Sequence, residues 1–395
     1  MVRSALKVAI LADSPTLTTG FGLTTRHIAG SLSAAGYQVT CFGIKARPED
    51  LAGHRLPYDV WPAQQGGHWT VTLPEFFRTV APDVLILNMD AFNAVECLEV
   101  MAEAGWHGPT VSYVCFDGTP VGEQYLQAQR DCAEVWATSD TGATYLRANR
   151  VEVAGVAPPG VNPAEFRPDP NRDGLKRRAG LTGATVVGVF ATNTERKQVA
   201  LAIDAFAQVV PRLPELDLRL YVHARPDGHW DLPALAAERG IGDLLMLPPR
   251  SHAEHLGVPA TSGALNYVDR INLCDVLVNV AHSGDIEQVI IEGQSCGVPL
   301  VHTDDEGVMA AAVGRGGVMV PARDVGIGRI GQWLHHVAPE AVADALVSVL
   351  TDPALRGRLV AAGFENAARY GWDVLENAAL AMVAPYQGLR EVDPT

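Results

Sequence analysis

The chain has 395 residues, 48% of them hydrophobic, and a formal net charge of −15. That is enough chain for two domains with sizeable cores, and too acidic for nonspecific coating of nucleic acid, where lysines and arginines must displace counterions. Six scattered cysteines, with no Cys-x-x-Cys pair, exclude the usual zinc and redox spacings and read as reduced, buried thiols. The apolar run behind Met1 meets Asp13 and Pro15 and is too short for a secretion signal, and no apolar stretch reaches about 18 residues, so a cytoplasmic protein without a membrane span is expected.

Short β-type runs alternate with segments of helical period, the pattern of a parallel sheet wrapped by helices. In the first half the strands are expected at 8–11, 39–42, 84–87, 111–115 and 135–137, with helices at 23–35, 94–104 and 125–132. After the first strand, Gly20 and Gly22 precede a helix whose N-terminal amides suit an anion; the segment equally reads as a plain glycine turn. His27, early in that helix, is expected to pack. Asp117 follows the 111–115 strand at its carboxyl end, where ligands gather in open α/β sheets, although Asp-Gly is also a common turn.

Residues 157–180, rich in proline and charge, read as an exposed linker. Beyond it a second series of strands is expected at 186–190, 218–222, 244–247, 276–280, 300–302 and 318–320, and closing helices at 341–350, 354–370 and 372–382. The loop after the 186–190 strand carries Asn193, Arg196 and Lys197. An arginine fork beside a compact lysine charge can neutralise a diphosphate; the bland reading is a solvated pair. His252 and His255 have helical spacing but no third ligand, and His335 and His336 are expected at the surface, so no metal site is expected.

Three segments together resemble the family-4 retaining glycosyltransferases of the GT-B fold. In the linker, Pro159, Gly160, Val161, Asn162, Phe166 and Pro168 match the family hinge, with Asn162 where Asp is common; the loop of Arg196 and Lys197 matches its basic pair. In HSGDIEQVIIEGQSCGVPLVHTDDEGV, Glu292, Gly297 and Pro299 align without gaps with its Glu-Ala-x-x-x-Gly-x-Pro pattern. GVMVPARD and the last helix with Trp372 agree with it, and the likeness spans nearly the whole chain.

The resemblance implies an α/β protein of two Rossmann-like domains facing across a cleft, 1–167 on the acceptor side and 168–371 for the nucleotide sugar, with 372–395 crossing back to the first domain. It implies a sugar moved from a nucleoside-diphosphate sugar to a hydroxyl acceptor with retention, without metal or other cofactor; no Asp-x-Asp is present. Arg196 and Lys197 are expected on the diphosphate and Glu292 on the ribose, with Asn193, Gly20 and Gly22 among the donor contacts. The family's first glutamate, which contacts the donor sugar, falls on Gly284, and its Gly-Phe-Gly on Asp285, Ile286 and Glu287. Asp285 or Glu287 is therefore expected to replace it, and Asp117 to orient acceptor or sugar. The acceptor is expected to be a small molecule or a modified base in DNA. A nucleotide-sugar epimerase and a non-catalytic nucleotide-sugar-binding protein are the competing readings.

Overall fold

The computed structural model describes residues 5–64, 68–248 and 265–390. The described residues form two compact units: the first runs to Gly160 and resumes at Trp372, and the second runs from Val161 to Gly371.

The first unit contains β1 (Lys7–Asp13), α1 (Gly20–Ala34), β2 (Gln38–Ile44), β3 (Asp59–Pro62), α2 (Leu73–Val80), β4 (Val84–Asp90), α3 (Ala91–Glu103), β5 (Thr110–Cys115), α4 (Glu123–Arg130), β6 (Glu134–Ala137), α5 (Asp140–Ala148) and β7 (Gly155–Val156). Its strands lie parallel in the order β3-β2-β1-β4-β5-β6-β7. The near-continuous apolar run of β1 follows from burial on both faces. Val8, Ile10 and Ala12 enter one core, and Ala9 and Leu11 the other. β3, α2 and α5 were not legible in the sequence pattern.

The second unit contains α6 (Arg172–Arg178), β8 (Thr185–Phe190), α7 (Val199–Val209), β9 (Leu218–His223), α8 (Leu232–Glu238), β10 (Leu245–Met246), α9 (Tyr267–Leu273), β11 (Val276–Asn279), α10 (Gln288–Ser295), β12 (Leu300–Asp304), α11 (Val308–Val313), β13 (Gly317–Pro321), β14 (Asp324–Ile327), β15 (Trp333–His336), α12 (Pro339–Thr351) and α13 (Pro353–Ala367). Six strands form a sheet in the order β10-β9-β8-β11-β12-β13, and β14 pairs antiparallel with β15 as a separate ribbon. The last helix, α14 (Trp372–Val383), belongs to the first unit. There Leu375, Ala379 and Met382 pack with Ile28 and Leu32 of α1. Among the described residues no helix is long and apolar enough to cross a membrane.

The stretch 157–180 is not an exposed linker throughout. Its end folds as α6, capped by Asn171, whose side chain accepts from the Gly174 amide. Leu175 and Leu181 are buried in the core beneath it. Charge misled the reading because the charges are tied down: Lys176 and Arg172 both pair with Asp275, and the Arg172 guanidinium also donates to the carbonyls of Asn272 and Cys274. Phe166 packs against the same core.

Candidate functional site

The carboxyl ends of β8, β11 and β12, neighbours in the second sheet, bring together the residues with the most unusual environments. After β8 a short turn carries Arg196 and Lys197, and Gln198 takes a left-handed φ of 49° to enter α7. After β11 the chain passes His282 to Asp285 before Glu287 opens α10. Two backbone bonds fasten these loops, from the His282 amide to the Arg196 carbonyl (2.9 Å) and from the His335 amide to the His282 carbonyl (2.8 Å).

Glu287 bridges both cations. Its Oε1 pairs with the Lys197 ammonium and lies 3.3 Å from Arg196 Nη1, which also donates to the Ser283 carbonyl at 2.8 Å. Lys197 and Glu287 are largely buried, their side chains 9% and 16% exposed. Burial alone would raise the Glu287 carboxyl, but Lys197 and then Arg196 outweigh it and hold it down to about 2. The basic pair is thus a three-membered ionic cluster of net charge about +1 rather than two solvated cations.

Gly284 leaves room for this arrangement. A Cβ there would stand 2.7 Å from Glu287 Oε1, 3.0 Å from Met309 Sδ and 3.1 Å from Arg196 Nη1. The space that a side chain at 284 would enter is taken by the Glu287 carboxylate. Asp285 is buried, and its Oδ1 accepts from the adjacent Ile286 amide at 2.7 Å.

Glu292, one and a half turns further along α10, is 3% exposed and accepts from the Tyr267 hydroxyl at 3.0 Å. Burial raises its carboxyl to about 8; the Tyr267 bond works against that, and the charge of Glu165 adds to it. Burial together with Glu292 pushes the Tyr267 hydroxyl up in turn. Tyr267 is 36% exposed, and its ring meets Phe190 and His223 edge-on, at 5.7 and 5.3 Å between centroids. A carboxyl group beside an aromatic wall suits a ribose and its base.

Asn193, expected among the donor contacts, is hydrogen-bonded to the loop after β9. Its Nδ2 donates to the carbonyls of Arg225 (3.0 Å) and Trp230 (2.7 Å), and its Oδ1 accepts from the Trp230 amide (3.2 Å). Donors and acceptor are engaged in pinning the loop after β9. His335 and His336 are half-buried rather than at the surface, because the β14–β15 ribbon lies on the site loop: the His336 ring meets that of His282 at 4.2 Å. Burial, then His336, lowers His282 to about 4. His252 and His255 lie outside the described residues.

Gly20, Gly22 and Asp117 belong to the first unit. Gly20 opens α1 with free space where a Cβ would stand, whereas a Cβ at Gly22 would lie 2.6 Å from the Leu17 carbonyl oxygen. Thr19 caps the helix by accepting from the Gly22 amide and donates to Asp13, which pairs with Lys45. Asp117 is half-buried just past β5, before Gly118 at φ 117°. His27 packs, stacking on Trp372 at 3.9 Å.

Tyr267, Ser283 and His302 escaped the sequence reading. The signal for His302 was a polar residue inside an apolar strand; Tyr267 had none, being brought to Glu292 by the packing of α9 on α10.

Solved glycosyltransferases share this architecture. Sucrose-phosphate synthase from Thermosynechococcus elongatus superposes with a TM-score of 0.72 at 17% identity, covering 98% of this chain and 100% of that one. Anabaena Alr3699/HepE, solved in complex with UDP-glucose, gives 0.70 at 16% identity over 96% and 100%. The chain has the GT-B fold. By sequence, GT-B relatives are named D-inositol 3-phosphate glycosyltransferase: that of Streptomyces avermitilis is 30% identical over 271 residues, 65% of this chain and 52% of the relative. That of Stackebrandtia nassauensis is 32% identical over 268 residues, 64% and 53%. The chain spans about half the length of these curated relatives. No family model matches it. The homologues of this GT-B chain are thus glycosyltransferases.

Proposed function

We propose that this chain is a retaining glycosyltransferase that takes a sugar from a nucleoside-diphosphate sugar and passes it to a hydroxyl acceptor without a metal or other cofactor. The observation that carries the reading is the convergence of Arg196 and Lys197 with Glu287 at the strand ends, with Glu292 on α10, the helix that Glu287 opens. Two cations fixed in a largely buried site can oppose the charge that develops on a departing diphosphate, the service a metal gives elsewhere. Glu292 offers its carboxyl oxygens to the vicinal ribose hydroxyls, and a sugar joined to the phosphates would lie near the Gly284–Glu287 loop. Retention follows the resemblance to family-4 enzymes, in which the diphosphate itself helps deprotonate the acceptor. Gly20 and Gly22 are assigned to the donor contacts, and Asp117 to orienting acceptor or sugar. The names of the inositol-phosphate relatives favour a small polyol as acceptor, and the net charge of −15 disfavours a base in DNA.

A thermal-shift screen with UDP, GDP, ADP and dTDP sugars names the donor. Arg196→Ala and Lys197→Ala should then each weaken binding of that nucleoside diphosphate by about 1.5–3 kcal/mol, or roughly ten- to hundredfold. Unchanged affinity in both variants would remove the diphosphate assignment, and turnover abolished by EDTA and restored by magnesium would remove the metal-free mechanism. A second reading, a nucleotide-sugar-binding protein without turnover, draws on the closed space at Gly284. Donor binding with neither transfer nor donor hydrolysis would establish it.

A further inference from the structure

β11 and β12 run parallel with Asn279 opposite His302. Alternation puts His302 on the same face as Leu300, which packs with Ile290 of α10 and Val313 of α11. His302 is therefore fully buried beneath the helix whose N-terminus carries Glu287. Its Nδ1 lies 2.6 Å from the Thr303 carbonyl oxygen. A carbonyl only accepts, so Nδ1 holds the proton and Nε2 of the neutral ring is an acceptor. Among the described residues Nε2 has no hydrogen-bond partner, and the buried hydroxyls of Ser283 and Thr303 have none either. Burial opposes a charge on this ring; the Thr303 carbonyl and the carboxylates of Asp305 and Glu287 favour one, and Lys197 opposes it.

A diphosphate arriving at Arg196 and Lys197 changes this balance. Both cations now serve Glu287 through the same oxygen. Drawn toward phosphate, they leave a largely buried carboxylate short of counter-charge, which is costly unless another cation appears. His302 is the neighbouring group able to become one, and it already has an unused ring nitrogen. Building on the donor reading above, we propose that binding of a donor diphosphate is coupled to uptake of one proton from solvent at His302 Nε2, which takes over Glu287 as the two cations turn to the phosphates. His302 is then a positioning residue that acts through Glu287 and does not touch the sugar.

The test is calorimetry of UDP-glucose binding to the full chain in buffers of different ionisation enthalpy, between pH 6 and 8. UDP-glucose is the probe because, unlike free UDP, it has no phosphate that titrates in this range. The expected result is a buffer-dependent heat equal to a large part of one proton taken up per ligand, with affinity rising toward about tenfold for each unit fall in pH. His302→Gln and Glu287→Gln should each abolish the uptake. A buffer dependence that is the same in the wild type and in His302→Gln overturns the proposal and leaves the diphosphate reading standing; the difference between the two cancels any proton exchanged at Glu292, which both retain. No binding of UDP-glucose or of any screened nucleotide sugar overturns both. Should His302→Gln fail to fold, the wild-type heats and Glu287→Gln still decide.

Discussion

Lys197→Ala tests the ionic cluster through stability alone, whatever the chain binds. In the intact protein Glu287 is held at about 2 against an ordinary 4.5, and at about 1.4 kcal/mol for each tenfold change that amounts to about 3 kcal/mol. Lys197 is the larger of the two attractive partners and Arg196 remains, so the variant should lose about 2 kcal/mol of this, or roughly 4–8 °C in the melting temperature of a unit this size. The sign with pH is fixed by linkage. A carboxyl with a depressed value stabilises the folded state above its unfolded value, and that contribution fades as pH falls from about 4.5 to about 2. The gap between wild type and Lys197→Ala should therefore be full at pH 7 and shrink steadily below pH 4.5. Thermal unfolding of both proteins from pH 3 to 7 measures it. A gap that is the same at pH 3 and pH 7, or absent at pH 7, would refute the assignment of Lys197 as the principal partner of Glu287.

Gly284→Ala should force the Glu287 carboxylate and the Arg196 guanidinium apart, at about 1–3 kcal/mol in stability; unchanged unfolding would mean the loop yields without cost. For Glu292→Gln the sign is opposite. A carboxyl raised to about 8 costs the folded state stability between about 4.5 and 8 as the unfolded chain ionises first. The amide variant should match wild type near pH 4 and exceed it by about 2–4 kcal/mol at pH 8, again read from unfolding against pH. Asn193→Ala should cost about 2 kcal/mol in stability by freeing the loop at 225–230. It should leave nucleoside diphosphate affinity near wild type in calorimetry; a large loss of affinity would return Asn193 to the donor contacts.

Where most of the sheet strands fall along the chain could be read from the chain by itself, because strands buried on both faces, such as Thr185–Phe190 and the start of Val84–Asp90, are apolar runs. The loop of Arg196 and Lys197 was visible for a related reason: cations past an apolar parallel strand must stand at the carboxyl end of the sheet. Elements held by tertiary contacts were not visible. The β14–β15 ribbon is rich in glycine and its two strands pair with each other, and α6 hides its one buried leucine, Leu175, among charges of which Arg172 and Lys176 pair with Asp275, about a hundred residues away. The site divides along the same line. Sequence supplied residue types and left Asp285 and Glu287 as equal claimants to the place vacated at Gly284; only packing shows that the Glu287 carboxylate fills it while Asp285 turns to its own backbone. Tyr267 on Glu292 and His302 beneath Glu287 were decided by the tertiary structure as well. A side chain's charge and hydrogen-bond demand are local properties of the sequence, but which groups meet them is settled only when strands distant in the chain become neighbours.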